Sequence, residues 1–376
     1  MDARAERLVL IYRTALERLL KIISNKVFRG NAVAYEMALI KQIEEEIQKL
    51  NIEAHGWAQT EIPQVYYAGT REVDRHLEAA GLLESGGASA SGKLMRYAEA
   101  DGLLATLALL HTEAIKLIVT NTIEALINAN NYVGRELRDS IRQAGLEAAA
   151  EKFATGATVK QMQKNLEGKI TAQGIHTITA KNGRNINVES YAELVARSTT
   201  AEATNRATTN QLTGLDYDLV EMTTHFPTCA ICAPLQGRVY SISGNDSRFP
   251  PLSTAHGGPY ANIHPNCRHR LVPWVKDRFG DDESNTAVDE AIKRSNKPFN
   301  TDPRSKAEKE KYEGEQRYKA QMRGDRIQFA KYKAVLGEDS PGTFSAFRRI
   351  KKNNEERFAE IEKQYRAARR EQRKKD

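Results

Sequence analysis

Cys229-Ala230-Ile231-Cys232-Ala233-Pro234-Leu235-Gln236-Gly237-Arg238-Val239-Tyr240 is the stretch on which the reading of the fold turns. Two residues between the cysteines let one tight turn present both sulfurs to a single tetrahedral ion at about 2.3 Å. Pro234 and Gly237 follow at once, so the pair belongs to a loop. A thioredoxin-type redox pair would instead open a helix after a strand. The second half of the motif is His264-Pro265-Asn266-Cys267, with His269 two residues on. Cys229, Cys232, His264 and Cys267 then form a Cys3His set, a common closed structural zinc site, and His269 could take the place of His264. Thiols buried without metal, or a redox or catalytic role, are the readings left beside it. A zinc deaminase needs His-x-Glu upstream of Pro-Cys-x-x-Cys, and Pro227-Thr228-Cys229 lacks that pattern. A catalytic zinc keeps an open position and a base; Glu221 could serve as one, but nothing singles it out. His225 and His256 read as surface or hydrogen-bonding histidines rather than ligands.

Outward from the motif the chain alternates like a sheet. Residues 218–224, 238–242 and 270–274 read as strands, and 191–212 reads as a helix. Upstream, His176, Ile178 and Ala180 alternate before Asn182-Gly183, a two-residue hairpin signal. Residues 171–278 thus form a small metal-stapled α+β module. Residues 1–170 are largely helical, with apolar stripes such as Leu8, Tyr12, Ala15 and Leu19. Breaks are expected after Phe28, after Leu50, at Gly81, in the Ser/Gly/Ala-rich stretch 85–92, and at Asn130-Asn131. Short helices at 133–154 and 159–166 complete this part, as a bundle or an elongated arm. Residues 279–376 are a charged helical tail, with helices at 306–336 and 344–373. Their apolar positions look too few for an independent core, so they are expected to become ordered against a partner. The fold class is α+β.

Three cysteines argue against a disulfide framework. Mean hydropathy is −0.59, and no apolar run approaches the roughly 18 residues of a membrane span. The N-terminus lacks the apolar stretch of a signal peptide. We expect a soluble protein that is made in a cytoplasm and has no membrane partner. Of the net charge of +7, residues 302–376 hold 22 Lys/Arg against 14 Asp/Glu, a local +8. In that tail Arg348, Arg349, Lys351, Lys352, Arg369, Arg370, Arg373, Lys374 and Lys375 could contact phosphates without reading sequence. A solvated helix with interleaved glutamates is the alternative.

Tyr191-Ala192-Glu193-Leu194-Val195-Ala196-Arg197, Asp218-Leu219-Val220, the segment from Cys229 to Tyr240, Ser241-Ile242-Ser243-Gly244 and His264-Pro265-Asn266-Cys267-Arg268-His269 occur in this order over residues 182–274. Together they resemble the phage minor capsid protein 2 family, which is related to the Mu F-like head morphogenesis proteins. Two departures are visible. Ser198 stands where that family usually has threonine, and Ala261-Asn262-Ile263 stands for its usual Gly-Leu-Phe. The resemblance implies a non-enzymatic virion protein, present in few copies per phage head and close to the portal. It would act in head assembly and in DNA packaging or delivery. Its partners would be the portal protein, the major capsid or scaffold protein and, through the basic tail, double-stranded DNA. It would be assembled in the host cytoplasm. The rival reading is a metal-dependent nuclease in which His264 or His269 activates water, although no Asp/Glu cluster accompanies the histidines. A host DNA-binding protein is a third reading.

Overall fold

The computed structural model describes residues 3–23, 32–83, 102–155, 177–179, 185–255, 263–264, 267–275, 282–336 and 339–375. Three helices come first: α1 (Ala3–Ile23), α2 (Ala32–Ala79) and α3 (Gly102–Thr155). Strands β1 (Thr177–Thr179) and β2 (Asn185–Asn187) form a two-stranded sheet. Then follow helix α4 (Val188–Gly214), strands β3 (Leu219–Met222), β4 (Val239–Ser241) and β5 (Leu271–Pro273), and helices α5 (Asp282–Ser295), α6 (Lys306–Leu336), α7 (Phe344–Asn353) and α8 (Glu355–Lys375). The class is α+β, mostly helical with a small antiparallel sheet, as the sequence implies. By internal contacts the chain falls into two compact units. One comprises Met1–Ala15, Ile47–Tyr132 and Ile178–Lys309; the other comprises Leu16–Glu46, Val133–Thr177 and Glu310–Asp376.

In the first unit α1 buries Ala5, Leu8, Tyr12 and Ala15, the three-and-four spacing of a core-facing stripe. Two expected helix breaks do not occur. Helix α2 runs through the Leu50-Asn51 position and through Pro63, and α3 runs through Asn130-Asn131. Asn51 and Asn130, which in isolation disfavour helix interiors, are tied together: Asn130 Nδ2 donates to Asn51 Oδ1 at 2.8 Å. Pro63 costs α2 one backbone bond. It lies between Ile62 and Tyr66, both fully buried, and Glu61 accepts Arg7 at 2.9 Å. Packing of this kind outweighs local propensity. The Ser/Gly/Ala stretch 85–92, the turn at Asn182-Gly183 and the helix at 159–166 lie outside the described residues.

Helix α4 presents hydroxyls and amides to the interior where an apolar stripe would be usual. A directional chain of hydrogen bonds links it to α2 and α3. Asn210 Nδ2 donates to Tyr66 Oη at 2.8 Å, and Tyr66 Oη donates to His111 Nδ1 at 2.9 Å. His111 Nε2 donates to Gln211 Oε1 at 3.1 Å, and Gln211 Nε2 donates to Asp74 Oδ1 at 2.7 Å. This direction holds for a neutral His111 protonated at Nε2. Burial pulls the His111 pKa below its ordinary value, which keeps the ring neutral. With each donor matched to an acceptor, the network sets the register of three helices.

Gly69 lets α2 approach α4 closely. A Cβ placed there would lie 2.8 Å from Ala207 Cβ and 3.4 Å from the Thr204 carbonyl oxygen. The second atom is backbone and cannot rotate away. Gly69→Ala, although it favours helix locally, is expected to destabilise the protein by about 1–3 kcal/mol. A lowered denaturation midpoint with an unchanged slope would show it, and a raised midpoint would contradict it.

The central sheet has the order β4-β3-β5 and is antiparallel throughout, with Val220 opposite Tyr240 and Pro273. Strand alternation sends its residues to two faces. On one face Val220, Met222, Tyr240 and Leu271 pack with Val73, Leu77 and Leu212 from the helices, and with Cys232 and Cys267. On the other, Leu219 and Val239 pack with Phe249, Trp274 and Ala291 of α5.

In the second unit the structure corrects an expectation. The C-terminal helices do form a core of their own, because their few apolar residues are large and converge. Tyr332, Phe347 and Ile361 are buried together, with Phe329, Leu336, Phe344, Ile350, Phe358 and Tyr365 around them. Tyr332 stacks on Tyr365 with centroids 4.5 Å apart. Thr343 caps α7 by accepting from Ala346 N at 3.1 Å, and Asn354 accepts from Arg357 N at 2.9 Å at the start of α8.

Candidate metal centre

The chain leaves β3, passes the cis Phe226-Pro227 bond and turns tightly at the cysteine pair. Ala233 N donates to the Cys229 carbonyl at 3.0 Å, and Leu235 N and Gln236 N donate to the Cys232 carbonyl at 2.9 and 3.0 Å. Gly237 adopts a φ of +68°, which a side chain would resist. Its N–H returns to Met222 O at 2.7 Å, so the turn feeds directly into β4. The second half is equally tight: Cys267 N donates to the His264 carbonyl at 3.0 Å just ahead of β5. Two arginines hold the approach to Cys229. Arg268 Nη2 donates to Pro227 O and Arg304 Nη1 to Thr228 O, each at 2.9 Å.

All three thiols and both predicted histidines converge. His264 Nε2 lies 3.2 Å from Cys229 Sγ and 3.1 Å from Cys232 Sγ. Cys232 Sγ lies 3.8 Å from Cys267 Sγ, and Cys267 Sγ lies 3.5 Å from His269 Nδ1. A zinc tetrahedron with Zn–S of about 2.3 Å and Zn–N of about 2.05 Å has S···S edges of about 3.8 Å and S···N edges of about 3.5 Å. These four separations sit on or inside those edges. The donors form two overlapping triads, Cys229-Cys232-His264 and Cys232-Cys267-His269, each mutually within 4.8 Å, with Cys232 common to both. Such a cluster could hold a metal ion. Among the described residues, the groups able to do so contain only cysteine and histidine.

Electrostatics favour a cation here. The Cys229 thiol is pulled down to about 3, first by its hydrogen bond with Cys232 and then by His264. Cys267 is pulled down to about 4, again chiefly through Cys232 and then His269. Cys232 is pushed up, because its hydrogen bonds with Cys229 and Cys267, together with burial, hold a proton on it. Three sulfurs at this spacing cannot all ionise without positive charge between them, and a divalent metal, if bound, would supply it by displacing that proton.

Residues beyond the motif order the site. Gln236 Oε1 accepts from His269 Nε2 at 2.9 Å and from His225 N at 3.0 Å. His269 Nε2 therefore carries a hydrogen, and Nδ1 is the nitrogen that faces Cys267, with a second-sphere acceptor of the kind usual for a metal-binding histidine. His225 packs edge-on against His269, centroids 4.8 Å apart, and its pKa is lowered by burial and then by that neighbour. His256 lies outside the described residues. Gln236 and Arg268 stand inside the quoted motifs, so their positions were visible in the sequence although their roles were not. Nothing local marks Arg304.

The tail cations divide. Arg348 Nε donates to Asp325 Oδ2 at 3.1 Å and Lys351 Nζ to Asp325 Oδ1 at 2.7 Å. The Asp325 side chain is only 5% exposed, so both cations fasten α7 to α6. Arg349, Lys352 and Arg370 are exposed. The side chains of Arg369, Arg373, Lys374 and Lys375 lie outside the described residues.

The profile of the family described as phage minor capsid protein 2 matches residues 1–323. A protein of Lactococcus phage LL-H named "Structural protein" is 29% identical over 123 residues, 31% of this chain and 33% of that protein. The match therefore spans about a third of that relative's length. No solved structure matches. No helix among the described residues is long and apolar enough to cross a membrane.

Proposed function

Because the chain belongs to the phage minor capsid protein 2 family, we propose that it is a non-enzymatic component of the phage head. It works beside the portal, in head assembly and in DNA packaging or delivery. Cys229, Cys232, Cys267 and His264 hold one zinc ion that staples the central module. The observation that supports this reading is the convergence of three cysteines and two histidines. Cys229, Cys232 and His264 form one compact triad, and Cys267 adjoins it through Cys232 at 3.8 Å. Closed on one ion, these four would fill a tetrahedron from side chains alone, whereas a catalytic zinc keeps one position for water and a base beside it. Cys232 and Cys267 also belong to the hydrophobic core, where a substrate has no access.

In this reading the helices of residues 1–170 meet the portal protein or the shell built by the major capsid or scaffold protein. The zinc-stapled module is a rigid body between partners, and the basic tail faces packaged DNA. Tagged chain recovered from infected cells is expected to bring down the portal protein. Purified virions are expected to contain it in few copies relative to the major capsid protein. Recovery without portal protein, or absence from virions, would overturn the proposal.

A further inference from the structure

We infer that the outer face of α8 is a contact for the phosphate backbone of a nucleic-acid duplex, carried on a module that lies beyond the family match. This deepens the DNA-facing part of the function proposed above by naming the surface. The family profile ends at residue 323, and the aromatic core of α6, α7 and α8 is built entirely from residues after it. Residues 324–376 hold 15 Lys/Arg and 9 Asp/Glu, so +6 of the chain's +7 sits in this module.

The charge is also sorted along α8. Residues 355–362 carry Glu355, Glu356, Glu360 and Glu362 against Arg357, while residues 363–375 carry seven Lys/Arg against Glu371 alone. Acid first and base last suits the helix dipole, and it gathers the positive charge at one end. Phe358, Ile361 and Tyr365 face the aromatic core. Lys363, Arg366 and Arg370 are exposed and, at 100° per residue, fall on the opposite side of the helix. The next positions at that spacing, 373 and 374, are Arg and Lys. Lys363 pairs with Glu360 at 4.0 Å and Arg366 with Glu362 at 3.3 Å. Both pairs are exposed, so they are weak and easily exchanged for phosphate.

From Lys363 to Arg370 the helix rises about 10 Å, a length over which a duplex presents about six charges. A single strand would need aromatic platforms, yet the aromatic residues of α8 are turned into the core. Arg348 and Lys351 are not part of this surface, being held by Asp325.

The test uses the full chain and a mixed-sequence DNA duplex, followed by fluorescence anisotropy across a salt series. Lys363→Gln/Arg366→Gln/Arg370→Gln is expected to reduce the slope of log affinity against log salt by about 2–3, close to 0.9 for each lost phosphate contact. Arg317→Gln/Lys319→Gln/Arg323→Gln removes the same charge from exposed positions of α6 and is expected to leave the slope nearly unchanged. Equal loss in both variants, no loss in the first, or no duplex binding by the parent chain would overturn the inference. So would tighter binding to a single strand of the same length. Portal recovery by the α8 variant, measured in parallel, separates failure of this surface from failure of the wider function.

Discussion

Replacing Cys232 by serine is expected to cost the chain its metal and several kcal/mol of the stability of its central sheet. Cys232 is the sulfur common to both donor triads, and it is 1% exposed within the cluster formed by Val220, Met222, Tyr240 and Leu271. Each strand of the sheet has only three or four residues, so the backbone ladder alone is weak. Structural zinc contributes about 10–16 kcal/mol of apparent binding energy in small metal-folded domains. Here α2 and α4 also pack on the sheet, so the variant should lose several kcal/mol and not its whole fold. The parent chain should carry one zinc per chain by elemental analysis and the variant none, with the sheet's unfolding transition lowered to match chelated parent. His264→Ala should also lose zinc, because its Nε2 touches two sulfurs, while His269→Ala should retain most of it. The reverse result would move the fourth ligand to His269 and leave the staple standing. A parent chain without zinc, whose transition ignores chelator, would mean that the thiols are merely buried.

The strands were legible because each combined alternation with a nearby turn signal: Leu219–Met222, Val239–Ser241 and Leu271–Pro273 lie inside the expected spans. The convergence of the three cysteines with His264 and His269 was legible because ligand spacing is short and chemically restrictive. Helix continuity was less so. Asn51, Pro63 and Asn130 are local breakers, and what overrides them is a partner 79 residues away or a buried neighbour. Such long-range compensation leaves no trace in a local window. The tail core was missed for another reason. Phe329, Tyr332, Phe344, Phe347, Phe358 and Tyr365 are few in number, but each buries a large area, and a count of apolar residues does not weigh size. In the basic tail, the sequence could not separate Arg348 and Lys351 from Arg349 and Lys352. That division depends on where Asp325 lies across the helix pair.

Arg238→Ala should destabilise the same module by about 2–4 kcal/mol while leaving the metal bound. Arg238 is 5% exposed, and burial lowers its pKa, yet its guanidinium faces carbonyl oxygens and not a carboxylate. Nη1 donates to Ser295 O at 3.0 Å and also to Lys297 O, and Nη2 donates to Pro298 O at 2.9 Å. Ser295 ends α5, where the helix dipole favours a cation, and the other two carbonyls lie just beyond it. The Phe299 ring lies 4.2 Å from the guanidinium carbon, adding a cation–π contact. Alanine would strand the buried Ser295 carbonyl, at a cost of about 1–3 kcal/mol, while the carbonyls of the exposed Lys297 and Pro298 can turn to water. Lysine should recover only part, since a point charge cannot fork across three acceptors. Helix α5 covers the face of the sheet made by Leu219 and Val239, and the thiols lie on the other face. Loosening α5 should therefore lower the unfolding midpoint and speed amide exchange at Val239, whose N–H donates to Ser295 Oγ at 2.9 Å. Zinc content should stay unchanged. If Arg238→Ala released the metal as well, the two faces of this short sheet would act as one cooperative element, and α5 would have to be counted as part of the staple.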